Sequence, residues 1–196
     1  MTATLEQPDA PSTGAGYHTV AARVREWAER TPDGVAMREK DYGIWREYSW
    51  ATTWDLIETA AHGLLALGVD VGDRVSIHAE DRPEWVILDL ATVAVRGISV
   101  GFYPTNPTAE VQYLLEDCGA CVHFAEDEEQ YDKVDEIDPE RIPNVRRIIF
   151  VEPRGMVGKT DERLLFWDAF LDLGREHRDQ HPNALAERMA AADSTR

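Results

Sequence analysis

Between residues 75 and 151, apolar runs too short to be helices alternate with segments of helical period, and that alternation limits the chain to few folds. Residues 75–79, 98–103, 121–125 and 147–151 have the length and β-branched content of strands. Between them lie three helical segments. The first opens at Asp81-Arg82-Pro83-Glu84 and is apolar on nearly every side, with Asp89, Thr92 and Arg96 as its polar seam; the others cover 108–118 and 126–136. Strand–helix–strand units cross over with a right hand, so the sequence predicts an α/β fold built on a mostly parallel sheet with flanking helices.

Ahead of this region, residues 18–29 place Val20, Val24 and Trp27 at helical spacing, and Thr31-Pro32-Asp33-Gly34 stops the helix. Residues 35–39 and 44–48 then read as a β-hairpin around Asp41-Tyr42-Gly43. Ser49 is the expected N-cap of a long helix. In it Ile57, Ala60, Ala61, Leu64 and Leu65 form the apolar stripe, Asp55, Glu58, Thr59 and His62 the opposite one, and Gly68 the C-terminal stop. Residues 164–193 show two helical patterns divided by Pro182. Residues 1–16, rich in Pro, Ser, Thr, Gly and Ala, are expected to be a disordered tail, with order beginning near Tyr17.

Charge narrows the function classes. Twenty Lys and Arg face 37 Asp and Glu, a net charge of −17. Nucleic-acid binding needs cations to displace counterions from phosphates, and the same balance opposes anionic membranes. Asp89 and Arg96 interrupt the most apolar segment, well short of the ~20 residues of a spanning helix. Residues 1–16 lack the apolar run of a secretory leader and two cysteines make no disulfide framework, so a cytoplasmic protein is expected. Residues 110–140 carry twelve acids against Lys133, a pattern of a solvated face or of a docking surface for a basic partner.

Gly155-Met156-Val157-Gly158-Lys159-Thr160 approaches a phosphate-binding loop, but Pro153 stands where that loop needs glycine, and Asp161 and Glu162 would crowd the phosphates; a surface loop is expected. Cys118-Gly119-Ala120-Cys121 closes a helix instead of opening one, which raises thiol pKa values and argues against redox chemistry. His177 and His181 stand at i, i+4 but Pro182 follows at once, giving a solvated helix end. His78 and His123 lie in strands that could be neighbours and read as core histidines. Gly14-Ala15-Gly16 lacks a preceding strand, and no G-x-S-x-G elbow is present. These patterns nominate no catalytic, cofactor-binding or metal-ligating residue.

Five ordered segments carry a family resemblance: Trp45-Arg46-Glu47-Tyr48-Ser49-Trp50; Leu67-Gly68-Val69-Asp70-Val71-Gly72-Asp73-Arg74-Val75; Arg82-Pro83-Glu84-Trp85; Tyr103-Pro104-Thr105-Asn106-Pro107-Thr108-Ala109-Glu110; and Tyr113-Leu114-Leu115-Glu116-Asp117-Cys118-Gly119-Ala120. Together they resemble the amino-terminal part of the adenylate-forming ligases, which comprise acyl-CoA synthetases, luciferases and nonribosomal peptide adenylation domains. Gly101-Phe102-Tyr103-Pro104-Thr105 is most similar to the long-chain fatty acid–CoA ligases. Cys118 stands where the family usually has Ser, and Asp81 where many members have Asn.

The resemblance implies a two-step reaction in the full-length enzyme: ATP with magnesium converts a fatty acid to an acyl-adenylate, and CoA then displaces AMP. It also implies that the family's phosphate loop, adenine site, hinge and catalytic lysine belong beyond Arg196. Residues 17–196 are then the amino-terminal part of the large AMP-binding domain, ending before the phosphate loop, and the chain covers about the first third of a family member; its sheet is incomplete, and alone it is expected to be inactive and to bind no cofactor. Its expected partner is the remainder of the ligase. Exposed edges and apolar faces predict dye binding, self-association or a broad melt. Two alternatives are a stand-alone noncatalytic module that docks a ligase partner, and a nucleotidase using Lys159.

Overall fold

The computed structural model describes residues 19–191, so the expected tail over residues 1–16 lies outside the described residues. The first helix, α1 (Val20–Arg30), is capped by the Thr19 hydroxyl, which accepts from the Ala22 N–H. Its buried line runs through Ala21 and Val24, and Val20 is 63% exposed, against expectation. Trp27 stacks on Trp50 at 5.7 Å between ring centres.

Strands β1 (Val35–Asp41) and β2 (Ile44–Ser49) form the hairpin. Asp41 pairs with Ile44, which leaves Tyr42-Gly43 as a two-residue turn with φ of +46° and +85°. Two positive φ values are the signature of the type I′ turn that matches strand twist. In α2 (Trp50–Ala66) the Ser49 hydroxyl accepts from the Thr52 N–H as the cap pattern predicts. At its far end Gly68, at φ +74°, donates to Leu65 O while Val69 donates to Leu64 O, the paired bonds of a Schellman stop.

The remaining strands are β3 (Arg74–His78), β4 (Ile98–Phe102), β5 (Val122–Ala125), β6 (Arg147–Phe150) and β7 (Leu164–Phe166). They form one parallel sheet in the order β4-β3-β5-β6-β7. The helices between and after them are α3 (Pro83–Ala94), α4 (Thr108–Cys118), α5 (Glu128–Asp135), α6 (Trp167–Gln180) and α7 (Ala184–Ala190). The expected helical pattern from residue 164 is corrected at its start. Leu164, Leu165 and Phe166 pair with Ile148, Ile149 and Phe150, and the helix begins only at Trp167. Three residues are too few to show a period of two.

Two cores cover the two faces. Ile77, Phe124 and Ile149 pack with α1, α2, α3, α6 and α7, whereas Ala125, Ile148 and Phe150 pack with α4 and α5, as alternation along a strand requires. Some members of the two polar stripes are buried, whereas Asp55 stays exposed and Glu58, Asp89 and Arg96 partly so. Thr59 and His62 are 2% and 1% exposed because α6 covers that side of α2. Thr92 of the α3 seam is buried and returns its hydroxyl to Leu88 O at 2.7 Å. Among the described residues no helix is long and apolar enough to cross a membrane.

Candidate functional site at the carboxyl edge of the sheet

The chain leaves β3 for β4 on one side and returns to β5 on the other, so the strand order reverses between β3 and β5. The connections part there: α3 joins one core and α5 the other. In open α/β sheets such a reversal opens a crevice outside the carboxyl ends of the strands. The loop after β3 and the loop after β5 are joined across it. Glu126 accepts the Glu80 N–H at 2.7 Å through one carboxylate oxygen and bonds Arg82 Nη1 at 3.0 Å through the other. Arg82 Nε also donates to Glu84 at 2.7 Å. Burial opposes the Arg82 charge, but the two carboxylates outweigh it and leave the guanidinium pKa above its ordinary value.

Two clefts flank this bridge. One of about 690 Å³ lies between the sheet edge and the hairpin and is lined by Met37, Arg38, Lys40, Trp45, Arg82 and Trp85, among others. The other, of about 450 Å³, runs past Asp81, Trp85, Gly101 and Tyr103. Trp85 belongs to both, and a Cβ on Gly101 would meet its indole at 3.4 Å, so the glycine seats the ring. Aromatic walls with mutually neutralised charges suit binding and packing; among the described residues no nucleophile with an adjacent base lines these clefts.

Behind the edge, His78, His123 and Phe102 form a triangle with ring centres 5.8 to 5.9 Å apart. Both histidines are fully buried, as the core reading expects, and Ser76 Oγ pairs with His123 Nδ1 at 2.8 Å. Among the described residues His123 Nε2 has no hydrogen-bond partner. Burial pushes His78 down to about 4 and His123 to about 3, so both rings are neutral at physiological pH.

The glycine-flanked loop at residues 155–160 does not fit phosphate. Gly155, at φ +82°, lies against the Glu128 carboxylate, where even a Cβ would collide. Lys159 Nζ is 2.6 Å from Asp132 and 3.5 Å from Asp135 and sits 5.0 Å from the centre of the Tyr131 ring. The hydrogen bond to Asp132 raises its pKa, and a strand follows where a phosphate loop would start a helix. The substitution Lys159→Ala is accordingly expected to leave any calorimetric ATP signal unchanged; an ATP affinity that falls at least tenfold would restore the nucleotidase reading.

Cys118 ends α4 with Gly119 at φ +60°, and both cysteines are free; burial raises both thiols. Among the described residues no cluster of three or more His, Cys, Asp or Glu is arranged to hold a metal. The acids of residues 110–140 are mostly exposed, as a solvated face would be. His177 departs from the expected solvated helix end, because its Nδ1 meets Nδ1 of His62 at 2.9 Å. The sequence shows Trp45, Arg82 and Trp85 in family-like segments, but only the strand order brings Glu126 opposite Glu80 and Arg82.

Comparison with known proteins agrees with this architecture. The long-chain-fatty-acid–CoA ligases FadD15 of Mycobacterium bovis and Mycobacterium tuberculosis are each 34% identical over 186 residues, which is 95% of this chain and 29% of theirs. ACSBG2 of Mus musculus, also a long-chain-fatty-acid–CoA ligase, is 26% identical over 83% of this chain and 25% of its own. The chain thus spans less than a third of the length of these relatives. In fold it is similar to acetoacetyl-CoA synthetase from Streptomyces lividans (TM-score 0.68, 24% identity, 77% of this chain and 24% of that one). It is likewise similar to the anthranilate CoA ligase AuaEII (TM-score 0.68, 22% identity, 82% and 28%). The pattern of the family described as AMP-binding enzyme matches residues 24–187, and the chain belongs to that family.

Proposed function

We propose that this chain is the amino-terminal scaffold of a long-chain fatty acid–CoA ligase and performs no adenylation by itself. The observation that carries the reading is the FadD15 match, which takes in nearly the whole chain but less than a third of the ligase. The local chemistry supports it. Phosphoryl and adenylyl transfer rest on cations and backbone donors clamping phosphates. Here Arg82 is neutralised by Glu84 and Glu126, and Lys159 by Asp132 and Asp135, so these residues do not fit ATP phosphates or magnesium. ATP, magnesium, CoA and the fatty acid are then ligands of the complete enzyme, whose remainder is this chain's partner, in the cytoplasm.

In that enzyme the role of the chain is architectural. The carboxyl-edge clefts present Trp45, Trp85 and Tyr103 as apolar wall for an acyl or pantetheine channel. The exposed hairpin residues Tyr42, Ile44 and Trp45 equally suit a stand-alone module that docks a ligase partner. The intact mass of the natural gene product separates the two. A mass roughly three times the 22.1 kDa of this chain is expected. A stable natural product of 22.1 kDa would overturn the scaffold reading in favour of the module.

A further inference from the structure

We propose that His62, His177 and His181 form a proton-operated latch that holds α6 against α2 at neutral pH and releases it on acidification. The latch begins with two glycines. A Cβ on Gly63 would enter the Phe170 ring, and one on Gly174 would collide with Thr59 O, so α2 and α6 lie nearly backbone to backbone. That approach buries His62 of α2 to 1% exposure and brings its Nδ1 within 2.9 Å of Nδ1 of His177 on α6.

The direction of the two rings identifies what joins them. Their centres are 5.2 Å apart, and the excess over the nitrogen separation is about twice the distance from a ring nitrogen to its own centre. The two nitrogens therefore point straight at each other, and their lone pairs do not converge on a third point as they would around a shared metal. One proton lies between them: one ring donates and the other accepts. A first added proton can settle on the far nitrogen of the donor ring and leave the bond intact, but charging both rings sets two N–H groups head to head, which removes the bond and places two cations in contact.

The surroundings leave that second charge uncompensated. On α2, Asp55 and Glu58 are both occupied by Arg178 of α6, at 2.9 and 3.4 Å. Arg178 itself adds positive charge beside the pair, and the ring of His181 stands 4.8 Å from that of His177. Asp70, before β3, is taken by Arg188 of α7 at 2.7 Å. Glu187 and Arg96 line the same cleft as His177 and His181, a cleft that the buried His62 does not reach. From α1 and α3, α2 meets the apolar core. Consistently, burial first, then His177, Arg178 and His181, push His62 down to about 4, and burial lowers His177 as well.

Ring-proton NMR and hydrogen exchange on the unaltered chain test the latch. His62 should stay neutral well below the ordinary histidine range, and the two rings should not be charged together while α6 is docked. Residues 167–191, corrected for intrinsic exchange, should open about 20-fold more at pH 5 than at pH 7. In His177→Leu the added opening of that segment should shrink to what the burial of His62 alone imposes, while acid weakening of the sheet persists through His78 and His123. Independent titration of both rings near pH 6.5 with unchanged protection of 167–191 would overturn the proposal. So would a His177→Leu segment that keeps the original pH response. If that variant does not fold, the NMR titration of the unaltered chain decides alone.

Discussion

Lowering the pH from 7 to 5 is expected to reduce the unfolding free energy by about 4 kcal/mol through His78 and His123 alone. Both rings are sealed beneath Phe102, and their folded pKa values, about 4 and about 3, lie below the unfolded value of 6.5. The unfolded chain therefore takes up protons below pH 6.5 while the folded chain does not. Stability contributed by the neutral rings is complete above that pH and is lost as the pH falls toward 4. The carboxylates held low by arginines, such as Asp161 beside Arg163, act in the same direction but only below about pH 4. Relief of the net charge of −17 acts the other way, yet most surface acids also wait until about pH 4 to protonate. The histidines thus dominate between pH 7 and 5. Urea midpoints at the two pH values measure the effect, and equal midpoints would show that protons reach these rings in the folded state.

The second large effect is at the α2–α6 contact. Phe170 is fully buried with its ring against Gly63, and Phe170→Ala is expected to cost about 3–5 kcal/mol. Gly63→Ala sets two effects against each other. Helix propensity favours alanine by about 1 kcal/mol, and the new methyl group would have to displace the Phe170 ring at a cost of about 1–3 kcal/mol. Gly174→Ala faces backbone instead of a movable ring, so packing decides and the substitution destabilises. Thermal melts of the three variants should rank Phe170→Ala and Gly174→Ala below the parent chain, with Gly63→Ala no better than the parent. A gain in melting temperature for Gly174→Ala would mean that the helices are not in backbone contact.

Local chemistry made much of the fold legible. Tyr42-Gly43, Ser49, Gly68 and Gly119 each act within a few residues, and the structure puts a turn, a cap or a stop at each. The helix over 108–118 ends where Gly119 requires. What could not be read depends on distant partners. Thr59 and His62 look like a solvent stripe until α6, more than a hundred residues later, covers them. Leu164–Phe166 is a strand only because β6 is beside it. The carboxyl-edge site shows the same divide. Arg82 and Trp85 stand out beside Pro83, whereas Glu126 is one acid among many until the strand order brings it opposite Glu80 and Arg82. Lys159 was marked by its glycines, but Asp132 and Asp135 decide its role.

ATP–pyrophosphate exchange with a long-chain fatty acid and magnesium tests the scaffold reading most directly. Purified chain of residues 1–196 should exchange label no faster than a protein-free blank, whatever the acyl length. Exchange above that blank, dependent on both the fatty acid and the chain, would contradict it.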